Sequence, residues 1–179
     1  MEEGVYQQGD AMGSQRTSLT CCMDPEISIR LFREEDFKAV CALEQGEKGS
    51  SYSAAVFIRQ ASVIFADLFF VAGVDDQVAG YVIGATVQQS PEDGWILRLK
   101  VAYPHRRKNL GTDLLTTLFR AFKEAGIARV SLTVAPDNYP AMSLYRAKGF
   151  EETGVILNYF GSGEHRKLMS LALPHGDAQ

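Results

Sequence analysis

The chain has 179 residues, 46% of them apolar, and a formal net charge of −4. That length suits one domain with a full core, and the acidic balance argues against nucleic acid as the main partner. Cys21, Cys22 and Cys41 lack metal-ligand spacing, and an odd count with an adjacent pair is no disulfide framework; no bound metal is expected, and a reducing cytoplasm fits. The longest apolar run, 63–74, is short for a membrane span and contains Asp67, while Glu2 and Glu3 argue against a secretory signal.

Residues 1–24, rich in Gly, Ser and Gln, read as a disordered arm before a domain over 25–174 and a tail at 175–179. Ile27, Ile29 and Leu31 alternate as a first strand. Glu35 or Asp36 is placed to cap a helix through Val40 and Leu43, which Gly46 and the Gly49-Ser50-Ser51 run break. A second helix is expected from Ser53 to about Ala66, burying Val56, Phe57, Gln60, Val63 and Ile64. Segments 68–74 and 77–87 read as strands joined by the tight turn Asp75-Asp76. A loop over 88–94 then leads to a strand over 95–101, where Leu97, Leu99 and Val101 alternate with Arg98 and Lys100. The two cations are expected opposite Leu97 and Leu99, in a cross-strand ion pair or facing an acidic acceptor.

Pro104 ends that ladder. Leu114, Leu115, Leu118, Phe119 and Phe122 recur at helical spacing, so a helix runs from near Leu110 to Gly126, a natural C′ residue. Between strand and helix lie His105, Arg106, Arg107, Lys108, Asn109, Leu110 and Gly111. Amides at a helix N-terminus, with the positive end of its dipole, make an anion site. Gly111 lets a ligand approach the backbone, Asn109 tolerates a left-handed conformation, and the cations add Coulomb attraction. The chemistry indicated is a diphosphate-bearing ligand held by a loop, although neither GxGxxG nor GxxxxGK(S/T) is present. Val130, Leu132 and Val134 form a further strand, and Pro136-Asp137-Asn138 is turn chemistry. Pro140 fits the first turn of a helix ending at Gly149. Strands over 154–160 and 168–173 flank the turn Gly161-Ser162-Gly163.

The stretch VAYPHRRKNLGTDLL resembles the acyl-CoA signature of the GCN5-related N-acetyltransferases, Arg/Gln-x-x-Gly-x-Gly/Ala. Arg106 holds the first position, Asn109 replaces the first glycine, Leu110 is the variable residue and Gly111 the last. A second family motif follows as Asn138, Ala141, Leu144, Tyr145, Gly149 and Phe150. The resemblance covers about residues 27–173 and implies an α/β fold: a mixed, mostly antiparallel sheet of about seven strands with about four helices on both faces. It implies acetyl-CoA as donor, bound by Leu99, Val101, Arg106, Arg107, Lys108, Asn109, Leu110, Gly111, Thr112 and Asn138. Free strand amides would polarise the thioester carbonyl, and Tyr145 would be the general acid toward the departing thiolate.

Outside its motif Tyr145 reads as a core aromatic, and Asn138 reads equally as a helix cap. The family's strand carboxylate falls on Trp95, which accepts no proton. Glu44, Glu47, Glu92, Asp93 and a water chain are the candidates left, His105 and His165 read as solvated surface, and no base is assigned. The segment GVILNYFGSGEHRKLMSLAL resembles the closing hairpin of ribosomal-protein and other protein N-terminal acetyltransferases. It matches at Gly154, Val155, Tyr159, Gly163, Glu164 and Met169 and departs at Phe160, His165 and Arg166. Tyr159 then lines a peptide groove or packs on the sheet.

The expected activity is direct acetyl transfer from acetyl-CoA to a primary amine, either a peptide N-terminus or a small amine such as a polyamine, amino acid or aminosugar. The rival readings are a non-catalytic acyl-CoA-binding or sensing module and a partner protein without CoA affinity. No nucleic-acid or membrane partner is expected; the oligomeric state is open, with a homodimer one option.

Overall fold

The computed structural model describes residues 26–45 and 51–174. In chain order it runs β1 (Ile27–Leu31), α1 (Phe37–Gln45), α2 (Ser51–Ile64), β2 (Phe69–Val74), β3 (Gln77–Val87), β4 (Ser90–Val101) and α3 (Leu110–Glu124). There follow β5 (Arg129–Val134), α4 (Tyr139–Ala147), β6 (Glu151–Ile156) and β7 (Arg166–Ala172). The seven strands form one sheet in the order β1-β2-β3-β4-β5-β7-β6, antiparallel except between β4 and β5. The expected mixed sheet, with helices on both faces, is what forms.

Each face has its own core. On one, Leu110, Leu114, Leu115, Leu118 and Phe122 of α3, with Met142 and Tyr145 of α4, cover Phe70, Val82, Ile96 and Leu132. On the other, Val40 and Cys41 of α1 and Ile58 and Ala61 of α2 cover Phe69, Val71, Tyr81 and Ile83. β2 and β3 are buried on both sides, so they read as nearly continuous apolar runs. The Asp75-Asp76 turn takes φ of 49° and 63°, the left-handed pair that a two-residue hairpin needs. Gly126 takes φ of 78° just past α3, as a C′ residue should.

Several expectations need correction. α2 buries Ala54, Ile58 and Ala61, whereas Val63 and Ile64 are 75% and 66% exposed. Small residues let this helix pack chiefly against α1, and its apolar last turn is left exposed. The first helix is preceded by a 3-10 turn over Glu34–Asp36; Asp36, buried, accepts from the Arg33 N–H at 2.8 Å and from Arg30 at 2.7 and 2.8 Å. The loop expected over 88–94 is mostly strand. β4 begins at Ser90 because Pro91 precedes the β5 pairing that starts at Asp93, so its missing N–H breaks no ladder there. Gly94 lies buried inside β4, where a Cβ would sit 2.9 Å from Ile127 and 3.1 Å from Phe122. β6 occupies Glu151–Ile156 rather than 154–160, because Asn158 turns left-handed at φ 55° and closes the strand early. β7 starts correspondingly early, at Arg166. Glu47 and segments 1–24 and 175–179 lie outside the described residues.

Candidate active site

β4 and β5 pair only over four residues, Asp93 to Ile96 against Arg129 to Leu132. Beyond Ile96, β4 continues to Val101 with β3 on one side and no strand on the other. Ala102 N–H donates to Ala79 O at 2.8 Å. Alternation along the antiparallel ladder therefore turns the amides of Val101 and Leu99 away from β3 and into the gap. The Val101 carbonyl follows the same outward direction, and it accepts from Arg106 Nε at 3.2 Å. At the closed end Asp93 is tied to Arg129 at 2.7 Å, so Glu92 and Asp93 belong to this strand, not to a loop.

At the rim of the gap the chain makes its basic turn. Arg107 and Asn109 have φ of 60° and 63°, with Lys108 between them, and Asn109 is the N-cap residue of α3. Left-handed residues in such a turn make the backbone concavities that bind anions. Asn109 thus adopts the backbone for which glycine would be the default, at some cost in strain. Leu110 is buried and anchors the turn, and Thr112 lies in the first turn of α3. Gly111 lies against α4, where a Cβ would meet Leu144 Cδ2 at 3.2 Å. Arg106 stacks over Tyr103 at 5.5 Å, while Arg107 and Lys108 are exposed and form no ion pair with a described residue. His105 is half-buried; its Nδ1 is enclosed and has no described partner.

α4 brings the second motif to the same face as α3. Asn138 Oδ1 accepts from Ala141 N–H at 3.2 Å and so caps the helix. Tyr145 is 8% exposed and meets Phe150 edge-to-face at 5.7 Å. Burial pushes its phenol up to about 12. Its hydroxyl makes no hydrogen bond to a described residue.

On the opposite face, β4 carries a cluster that no motif announced. The register places Ile83 opposite Arg98 and Gly84 opposite Ile96, so Leu97 is an extra, bulged residue. Leu97 consequently packs in the α1–α2 layer, on the side of Arg98 and Lys100, rather than with Leu99. The two cations do not pair across strands. Both meet Glu44 in the last turn of α1, Arg98 at 3.1 Å and Lys100 at 3.7 Å, and Lys100 also donates to the Glu44 carbonyl at 2.7 Å. Tyr81 donates its hydroxyl to the same carboxylate; burial and that carboxylate raise its phenol well above the ordinary range.

Beyond β6, Tyr159 is 43% exposed and lies edge-on to Phe160 at 4.7 Å. His165, unlike His105, is engaged, its Nδ1 accepting from Asn158 N–H at 3.0 Å. A depression of about 280 Å³ separates this turn from Pro136 and Asp137 at the exit of β5.

A sheet parted between two parallel strands, with a cationic helix N-terminus at its rim, is the architecture of acetyl-CoA-dependent acetyltransferases. Residues 35–150 match the acetyltransferase (GNAT) family, and the chain belongs to it. The N-alpha-acetyltransferase of Sulfurisphaera tokodaii is 31% identical over 83% of this chain and 94% of its own. The ribosomal protein bS18-alanine N-acetyltransferase of Salmonella typhimurium is 25% identical over 82% of this chain and 96% of its own. The crystal structure of Ard1 from Thermoplasma volcanium shares the fold with a TM-score of 0.76 at 25% identity, covering 83% of this chain and 98% of that one. The protein is an acetyltransferase. No described helix is long and apolar enough to cross a membrane.

Proposed function

We propose that the protein transfers the acetyl group of acetyl-CoA directly to the α-amine of a protein or peptide N-terminus, in the cytoplasm. The observation that carries this reading is the gap, into which the Leu99 and Val101 amides point. There one of them donates to the thioester oxygen as it gains negative charge, a contribution that mutagenesis elsewhere puts at about 3 kcal/mol, while the other, about 6.6 Å along the strand, is free to bond the pantetheine arm. The backbone of 106–111 holds the diphosphate, with Arg107 and Lys108 supplying charge and the buried Leu110 keeping the turn in place. Thr112 extends that turn, and Asn138, capping α4, fixes the start of that helix beside the pantetheine arm.

The amine nitrogen attacks the carbonyl carbon, the C–S bond breaks, and the Tyr145 hydroxyl donates a hydrogen bond to the sulfur as it leaves as thiolate. The amine's surplus proton passes to solvent. No acyl-enzyme is invoked: Cys41, the cysteine among the described residues, is buried in the α1–α2 layer, and burial raises its thiol. The α-amine as acceptor is supported by the near full-length likeness to N-alpha-acetyltransferases. Tyr159, exposed at the hairpin tip, is a candidate wall for an extended peptide. Thiol release from acetyl-CoA tests this, comparing free amines with peptides of growing length. The expected result is a kcat/KM that rises over the first few residues. A polyamine, amino acid or aminosugar that outpaces every peptide would overturn it.

A further inference from the structure

The α1–α2 face of β4 carries more positive charge than its packing requires. Arg98 and Lys100 extend from the part of β4 that borders the gap, with Leu99 and Val101 turned to the other side. They therefore lie across the sheet from the basic turn at the start of α3, on the side left for an acceptor when the donor occupies that turn. Glu44 is the carboxylate they share. Its side chain is only 12% exposed, against 46% for Arg98 and 31% for Lys100. The negative charge is enclosed, and the two positive charges are at the surface.

The count leaves a surplus. One carboxylate and two cations sum to +1. Tyr81 and Cys41 stay neutral. A purely structural pair would need only one cation for one enclosed acid. The guanidinium of Arg98 also rests 5.2 Å from the Phe57 ring of α2. Its side chain is thus ordered before anything binds, which reduces the entropy lost on association. The planar fork of an arginine matches a carboxylate.

We infer that Arg98 and Lys100, positioned by Glu44, recognise a carboxylate side chain near the acceptor's N-terminus, so that the preferred substrates carry Asp or Glu within their first few residues. This rests on the reading of the protein as an N-terminal acetyltransferase. Glu44 is a positioning residue here, since the Tyr81 hydroxyl and the two cations already engage its carboxylate.

The test uses the full chain, acetyl-CoA and peptides identical except for Glu, Gln or Lys placed in turn at the second, third and fourth positions. At one position kcat/KM should fall in the order Glu, Gln, Lys, by up to about fivefold per step, the scale of a partly exposed ion pair. Raising NaCl should compress those ratios in the wild-type protein. Arg98→Gln and Lys100→Gln should each lower the Glu-to-Gln ratio, and the double substitution should bring it near one. Peptides turned over without regard to charge, or with Lys preferred, would overturn the inference and leave N-terminal acetylation standing. Turnover of small amines with no peptide acetylated would overturn both. The salt series on unmodified protein decides between these outcomes even if a variant fails to fold.

Discussion

Replacing Tyr145 with phenylalanine separates a proton donor from a packed ring. The ring is 8% exposed and meets Phe150 at 5.7 Å, contacts that phenylalanine keeps. The hydroxyl bonds to no described residue, so its loss leaves no described partner unsatisfied, and stability should change by no more than about 0.5 kcal/mol. The kinetic effect follows from acidity. Burial puts the phenol at about 12, whereas an ordinary thiol titrates near about 8.5. Transfer of the proton to a full thiolate is therefore uphill by about 3.5 units, or about 5 kcal/mol. Tyr145 acts chiefly as a hydrogen-bond donor to the sulfur, and its effect belongs at the low end of general-acid catalysis, about 10²-fold in kcat. Thiol release at saturating peptide measures kcat, and calorimetry measures acetyl-CoA affinity. We expect kcat to fall about 10²-fold while the affinity stays within about twofold. Near-wild-type turnover with a lowered Tm would refute the assignment and leave Tyr145 as packing.

Gly111→Glu places a side chain 3.2 Å from Leu144 and a negative charge at the helix N-terminus that is to hold phosphate. Calorimetry should show acetyl-CoA affinity reduced by about tenfold or more, with Gly111→Ala as the steric control; unchanged affinity in Glu would remove the phosphate turn from the site. Tyr145 and Tyr81 are raised in the fold, so their contribution is full below the unfolded value of about 10. It is lost as pH rises through the folded values, about 12 for Tyr145, because the unfolded chain gives up its protons first. For Tyr145 alone the loss reaches about 3 kcal/mol, so urea unfolding near pH 12 should find Tyr145→Phe less weakened than wild type. At Asp36 burial works to raise the carboxyl, yet the hydrogen bonds from Arg30 and the Arg33 N–H prevail and hold it below the ordinary range. Its stabilisation is present above the unfolded value and disappears as pH falls through the folded one. Asp36→Asn should cost about 1–2 kcal/mol, discounted because Arg30 is partly exposed, and an unchanged Tm would count against the pair.

Residue chemistry announced much of this site. Asn109 is a type that accepts a left-handed backbone, Asn138 a type that caps, and the α3 leucines recur at the helical period; each holds locally, so each was legible without a fold. The remainder is non-local. A period of two cannot reveal an inserted residue, so the bulge at Leu97 escaped, and with it the true face of that side chain. The pairing of Arg98 and Lys100 with Glu44 joins α1 to β4 across a helix, two strands and most of a third, and no spacing rule spans that distance. Val63 and Ile64 look like core until α2 is seen to rest on α1 with its last turn exposed. Gly94 and Pro91 look like loop chemistry, yet Gly94 serves close packing by Phe122 and Ile127 and Pro91 sits where the edge is free.

The short β4–β5 pairing makes the gap a pair of callipers hinged at one end. Past the last paired residue, Ile96, the Leu99 amide is three residues away, about 10 Å along the strand. Turning β5 by about 6° around that point would shift the far jaw by about 1 Å, a displacement that can cost about 10²-fold in rate when it misaligns reacting groups. The hinge is set by Gly94 under Phe122 and Ile127 and by the Asp93–Arg129 tie, none of which faces the open part of the gap. Turnover can therefore be retuned from the closed end, through the angle between two strands, with every residue at the mouth left as it is.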